Sequence, residues 1–138
     1  MKRLIFFFSL FFSLTAFSSE LVIQTKEKTY VYQTDIADTP YKQQLGLMFQ
    51  RELPDNYGMT FLFARPLVLK MWMKNTYLSL DMIFFDENGV ITHIYKNAEP
   101  FSEKLISSQG PAKGVIEVIA GTAEEKNIQI GDKIKVIP

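Results

Sequence analysis

Trp72, the chain's single tryptophan, is followed by Lys74, Asn75 and Asp81. Tryptophan offers a flat apolar face, lysine a mobile cation, and asparagine an amide that both donates and accepts hydrogen bonds. Together they have the chemistry of a floor and rim for a small polar ligand, such as a sugar or a carboxylate. Arg51 is a further candidate for that rim. The competing arrangement is a core tryptophan, a solvated Lys74 and an Asn75 that turns the chain. On a regular strand Trp72 and Lys74 share one side, and Met73 and Asn75 the other. A strand end or bulge at Asn75-Thr76 would bring Asn75 round to Trp72.

Two other constellations carry possible chemistry. Asp81 and Glu117 could form an acid/base pair acting on a glycan, since paired carboxylates at a suitable separation perform glycosidic chemistry. Met71 and Met73 could offer thioethers to Cu(I), although methionine beside aromatics is commonly a core filler. Otherwise the inventory is short. With no cysteine and one histidine, His93, neither a zinc site nor a Cys-His nucleophile can be assembled. A Gly-x-Ser-x-Gly elbow and a glycine-rich phosphate loop are both absent from the sequence. No cofactor is implied.

Lys74, Asn75, Asp81, Glu117 and Arg51 have no local turn or cap to explain them. A small domain that buries several of them must pair them, because an unpaired buried charge is very costly. That pairing is either a structural network or the inside of a pocket, and both arrangements stay open.

The elements that must position these residues are mostly strands. Alternating runs at 21–24 and 30–34 predict a hairpin. Asp38-Thr39-Pro40 supplies an N-cap and a first-turn proline for a short helix, with Tyr41, Leu45 and Met48 at helical spacing. Residues 59–63 and 67–73 read as strands. Residues 80–86 and 90–96 flank Asn88-Gly89, a strong hairpin marker placed at the centre of the fold. Residues 97–111 read as one long surface loop, the natural lid of a site. A strand at 114–119, a helix at 122–126 and a strand at 133–137 complete the chain. The expected architecture is α+β, mostly antiparallel, curled into a small barrel or half-barrel with two short helices.

A chain of 138 residues, 47% of them hydrophobic, fits one domain. Its start is set apart: Met1-Lys2-Arg3 precedes an uncharged apolar run over residues 4–17, and Ala16-Phe17-Ser18 presents small residues where a signal peptidase cuts. Residues 1–18 are therefore expected to be a signal peptide and 19–138 the mature domain, periplasmic or secreted. The apolar run is shorter than the roughly 20 residues that span a bilayer, so no stable membrane anchor is expected after cleavage. The mature chain keeps 13 basic against 15 acidic residues, without a basic tract. Nucleic acid and anionic lipid are discounted as partners.

A series of short blocks runs in order along the chain: Gly46-Leu47-Met48-Phe49, Leu53-Pro54 with Gly58-Met59, Trp72-Met73-Lys74-Asn75-Thr76 with Leu80-Asp81, Gly110-Pro111-Ala112, Glu117 with Gly121, and Gly131-Asp132. By these blocks the chain resembles an uncharacterised family, often exported in bacteria, known as domain of unknown function 192. The resemblance runs from about Thr34 to Val136. It implies a compact, mostly β domain without an established activity. Three functional readings follow: a non-catalytic binding or accessory module for a small polar ligand or a protein partner, a carboxylate-dependent hydrolase, and a methionine-based copper-binding protein. The first leads, because no complete catalytic constellation can be assembled.

Overall fold

A computed structural model of the chain describes residues 19–138. The expected signal peptide, residues 1–18, lies outside the described residues. Strands β1 (Ser19–Gln24) and β2 (Thr29–Ala37) form the first hairpin. Its turn is tied by Thr25, whose hydroxyl accepts the backbone N–H groups of Glu27 and Lys28. Helix α1 (Pro40–Leu45) then carries the chain to β3 (Tyr57–Met71), which pairs parallel to β2. A parallel pair needs such a crossover, since a tight turn cannot reverse the chain twice. The Asn88-Gly89 turn joins β4 (Leu80–Phe85) to β5 (Ile91–Ala98). After it come β6 (Ile106–Ile119), α2 (Thr122–Glu125) and β7 (Lys133–Ile137).

The strands form one sheet in the order β5-β4-β6-β3-β2-β1-β7. Its two edges approach at one end. There Ile134 donates its N–H to the Gly89 carbonyl at 2.7 Å and Ile91 donates to the Asp132 carbonyl at 2.8 Å. The result is a half-barrel, antiparallel except for β2–β3 among the described pairings. The Asn88-Gly89 turn forms as expected, with the Asp86 carboxylate accepting the Asn88 and Val90 N–H groups. Its hairpin is not central: β5 is an edge strand. Gly89 has φ of 76°, and a Cβ there would strike the Ile134 carbonyl, so the turn and the edge closure both require glycine.

Alternation along the strands divides the apolar residues into two clusters on opposite faces of β4, β6 and β3. Leu80, Met82, Phe84, Val115 and Phe61 belong to one, and Ile83, Phe85, Ile116 and Val118 to the other. Strand β4 is buried at every position because both of its faces are covered. Gly114 pairs with Leu62 of β3, and a Cβ there would strike the Phe61 carbonyl and the Phe85 ring.

Three expectations about elements change. The runs expected at 59–63 and 67–73 merge into one long strand, β3, which ends at Met71 and is bent by register shifts between Leu62 and Leu67 and between Val68 and Lys70. Arg65-Pro66 lies in the first shift, which explains why a proline is accommodated inside a strand. Residues 97–111 are not a single loop. Strand β5 continues to Ala98 and β6 begins at Ile106, where it pairs with Met71. Gly110-Pro111, read as a loop signal, sits in the curled part of β6 with Gln109 at φ of 62°. Finally, α1 has its N-cap Thr39 and first-turn Pro40 but buries no residue, and Tyr41 is 76% exposed. The helix stops at Gly46 (φ 46°), which sits against the Phe61 ring, before Met48 can join its face.

Candidate functional site

An open cavity of about 280 Å³ lies between residues 43–48 and the end of β3. Its lateral walls are Gln43, Gln44, Leu47 and Met48 on one side and Lys70, Met71, Trp72 and Lys74 on the other. Phe61, Phe63 and Glu117 also line it. Strand β3 ends at Met71, and Lys74-Asn75 turns the chain with Asn75 at φ of 53°. Asparagine tolerates that left-handed geometry better than most residues. The turn is bound to the opposite wall: the Asn75 carbonyl accepts the Phe49 N–H at 2.9 Å, and its side-chain amide reaches the Met48 sulfur at 3.9 Å.

Glu117 is the unusual residue of this cavity. It is 4% exposed, on the same face of β6 as Val115 and opposite Met59 and Met82 on the flanking strands. Its carboxyl makes no hydrogen bond or ion pair with the described residues, and since no buried side-chain oxygen or nitrogen among them lacks a partner, its oxygens open to the cavity. Burial alone pushes its pKa up to about 8. At neutral pH it is therefore mostly a neutral carboxylic acid, able both to donate and to accept a hydrogen bond.

The rim contains two of the expected residues. The Lys74 ammonium lies 5.1 Å from the centre of the Trp72 ring and 3.8 Å from a Glu103 carboxylate oxygen. Trp72 is 37% exposed and is not a core residue. Asn75 braces the wall through Met48. Arg51 is separate from the cavity: its guanidinium stacks on Tyr77 at 4.2 Å, and Tyr77 meets Phe101 edge-on at 4.8 Å.

Asp81 is elsewhere altogether. It is fully buried on the opposite face of the sheet, where its carboxylate accepts the N–H groups of Asn97 (2.9 Å), Gly121 (3.1 Å) and Ala123 (2.9 Å). This residue joins β5 to the start of α2 and contributes nothing to the cavity. The proposed acid/base pair of Asp81 and Glu117 is thereby removed, since the sheet separates the two carboxyls. The methionine pair is divided as well. Met71 lines the cavity, while Met73 is buried in the core with its N–H donated to the Ser102 carbonyl. The strand has ended between them, so alternation no longer aligns their side chains.

The lid expectation is corrected with the loop. What remains of it, residues 99–105, is anchored by Met73 N–H to Ser102 O at 2.8 Å and Phe101 N–H to Thr76 O at 3.1 Å. It forms a fixed shoulder beside the rim. Sequence reasoning missed Lys70, although strand alternation through Lys70 and Trp72 carries the signal. Gln43 and Gln44 gave none, because only the crossover brings them to this place.

The geometry defines a class: a half-barrel with a lateral cavity that has a cationic, aromatic rim and a buried acidic residue in its lining. The chain belongs to the uncharacterised family known as domain of unknown function 192, described as "Uncharacterized ACR", which it matches over residues 21–136. Its fold is similar to two bacterial crystal structures. One, from Sinorhizobium meliloti, is called a "putative transcription regulator"; it has TM-score 0.83 and 36% identity, with 86% of this chain and 94% of that chain covered. The other, a protein of unknown function from Novosphingobium aromaticivorans, has TM-score 0.82 and 34% identity, with 84% and 83% covered. A search of curated proteins found no match.

Proposed function

We propose that the mature protein is a non-catalytic binding module for a small polar ligand, exported to the periplasm, and that the ligand occupies the cavity between α1 and the end of β3. The observation that carries this reading is Glu117, a residue only 4% exposed whose carboxyl opens into a cavity with Lys74 and Trp72 at its rim and has no hydrogen bond to the described residues. A carboxyl that the fold leaves free inside a cavity is available to a ligand that supplies its hydrogen-bond partner. Export is supported by the Lys2-Arg3 start and the short apolar run behind it.

Binding is favoured over catalysis because, apart from the two lysines and Thr76, whose hydroxyl donates to the Lys74 carbonyl, Glu117 has no second acid, base or nucleophile among the lining residues. A role in transcription is disfavoured, because the mature chain has no basic tract to meet a phosphate backbone. The test is calorimetric titration of the mature protein and its Lys74→Ala variant with a panel of small sugars and carboxylates. A ligand bound by the wild type and lost by a stably folded variant supports the reading. Lys74→Ala unfolding the protein would defeat it.

A further inference from the structure

We infer that the cavity selects a small organic monoanion, held by its charge at the Lys70 and Lys74 rim and by an uncharged oxygen at its other end against Glu117. This rests on the binding reading above and adds the ligand's chemical class.

The cavity has three chemically distinct zones. At the mouth, Lys70 and Lys74 are both cations, and the lining contains no acid except Glu117. Glu103 offsets Lys74 only weakly, with its own side chain 65% exposed and 3.8 Å away. The Lys70 ammonium has no hydrogen bond or ion pair with the described residues, while its backbone lies in the β3–β6 ladder opposite Ser107. The walls are apolar, from Leu47, Phe61, Phe63 and Met71. Glu117 alone supplies a carboxyl.

The surroundings of Glu117 determine what that carboxyl can meet. On β3 its titratable neighbour is Tyr57, whose hydroxyl is already committed to Asp35 at 2.8 Å. On β4 it faces Met82, on β6 the same face continues with Val115, and the α1 side presents Gln43 and Gln44. No cation is bonded to it, and burial keeps it protonated at neutral pH. A neutral acid complements a hydroxyl or carbonyl oxygen. A ligand ammonium, by contrast, would have to enter past two lysines. A cavity of 280 Å³ is at the small end for ligand sites and suits roughly ten non-hydrogen atoms.

The test uses isothermal titration of the mature protein with para-hydroxybenzoate, benzoate, phenol, benzylamine and glucose. Para-hydroxybenzoate is expected to bind tightest, with benzoate and phenol each weaker by about threefold to tenfold, the worth of one hydrogen bond or one exposed charge contact. Glu117→Ala should remove the preference over benzoate and keep the preference over phenol. The double change Lys70→Ala with Lys74→Ala should do the reverse. Wild-type affinity should fall as pH is raised through about 8, and Glu117→Gln should abolish that fall. Preference for benzylamine or glucose overturns the ligand class while leaving the binding reading intact. Binding of none of the five overturns the inference, and the melting curve of Lys74→Ala then reports separately on the binding reading.

Discussion

Asp81 and Glu117 stand one register step apart on neighbouring strands and point to opposite faces of the sheet. Asp81 pairs with Val118, and Glu117 pairs with Met82. Directly paired residues share a face and successive residues alternate, so the two carboxyls are separated by the sheet itself. One meets three backbone N–H groups, and the other meets a cavity. Their opposite environments lead to opposite expectations for substitution.

Removing the Asp81 side chain leaves the N–H groups of Asn97, Gly121 and Ala123 without their acceptor. At roughly 1–3 kcal/mol for each buried donor left unsatisfied, Asp81→Ala should lower stability by about 3–5 kcal/mol. Denaturant unfolding measures this. A loss below about 1 kcal/mol would contradict the capping role.

Glu117 should behave in the reverse sense. Its folded pKa is about 8, against an ordinary value of 4.5. The folded state therefore holds a proton that the unfolded state releases between those two values. The stabilising contribution of the protonated form is fully present below pH 4.5, and is lost as pH rises through about 8. The full loss is about 5 kcal/mol, at about 1.4 kcal/mol for each pH unit that separates the folded from the unfolded value. Glu117→Gln, which cannot ionise, should flatten this dependence and be more stable than wild type above pH 8. Urea midpoints across the pH range test it, and parallel wild-type and variant curves would refute it.

Lys74 is a rim residue with a half-exposed side chain, a loose ion pair and a ring contact. Lys74→Ala should cost less than about 1 kcal/mol. A melting curve distinguishes that from the roughly 3–5 kcal/mol expected when a buried charge loses its partner.

Gly114→Ala places a methyl group into the Phe61 carbonyl and the Phe85 ring. Overpacking typically costs about 1–3 kcal/mol, and backbone on one side of the contact puts this site at or above the upper end. The change should be far more damaging than Gly110→Ala, where a Cβ meets nothing within 4 Å. Thermal unfolding of the two variants side by side supplies the comparison.

Local features of the sequence account for much of the fold. The Asn88-Gly89 turn, Thr39 and Pro40 at the start of α1, and the strand alternation in β1 and β2 depend on residues near each other in the chain, so they are readable from it. The Trp72 and Lys74 rim was legible for the same reason, as was the family, whose marks are short local blocks. Glu117 and Asp81 were both recognisable as charges without a local explanation, but which one opens into a cavity was not. That was decided by the register of β4 against β6 and by the crossover that brings Gln43 and Gln44 opposite the end of β3. The strand content of residues 106–111 was hidden likewise, because Gly110-Pro111 is a turn signal locally and becomes a bent strand only when β3 supplies its partner. Register and crossover join residues far apart in the chain, and neither composition nor spacing encodes them.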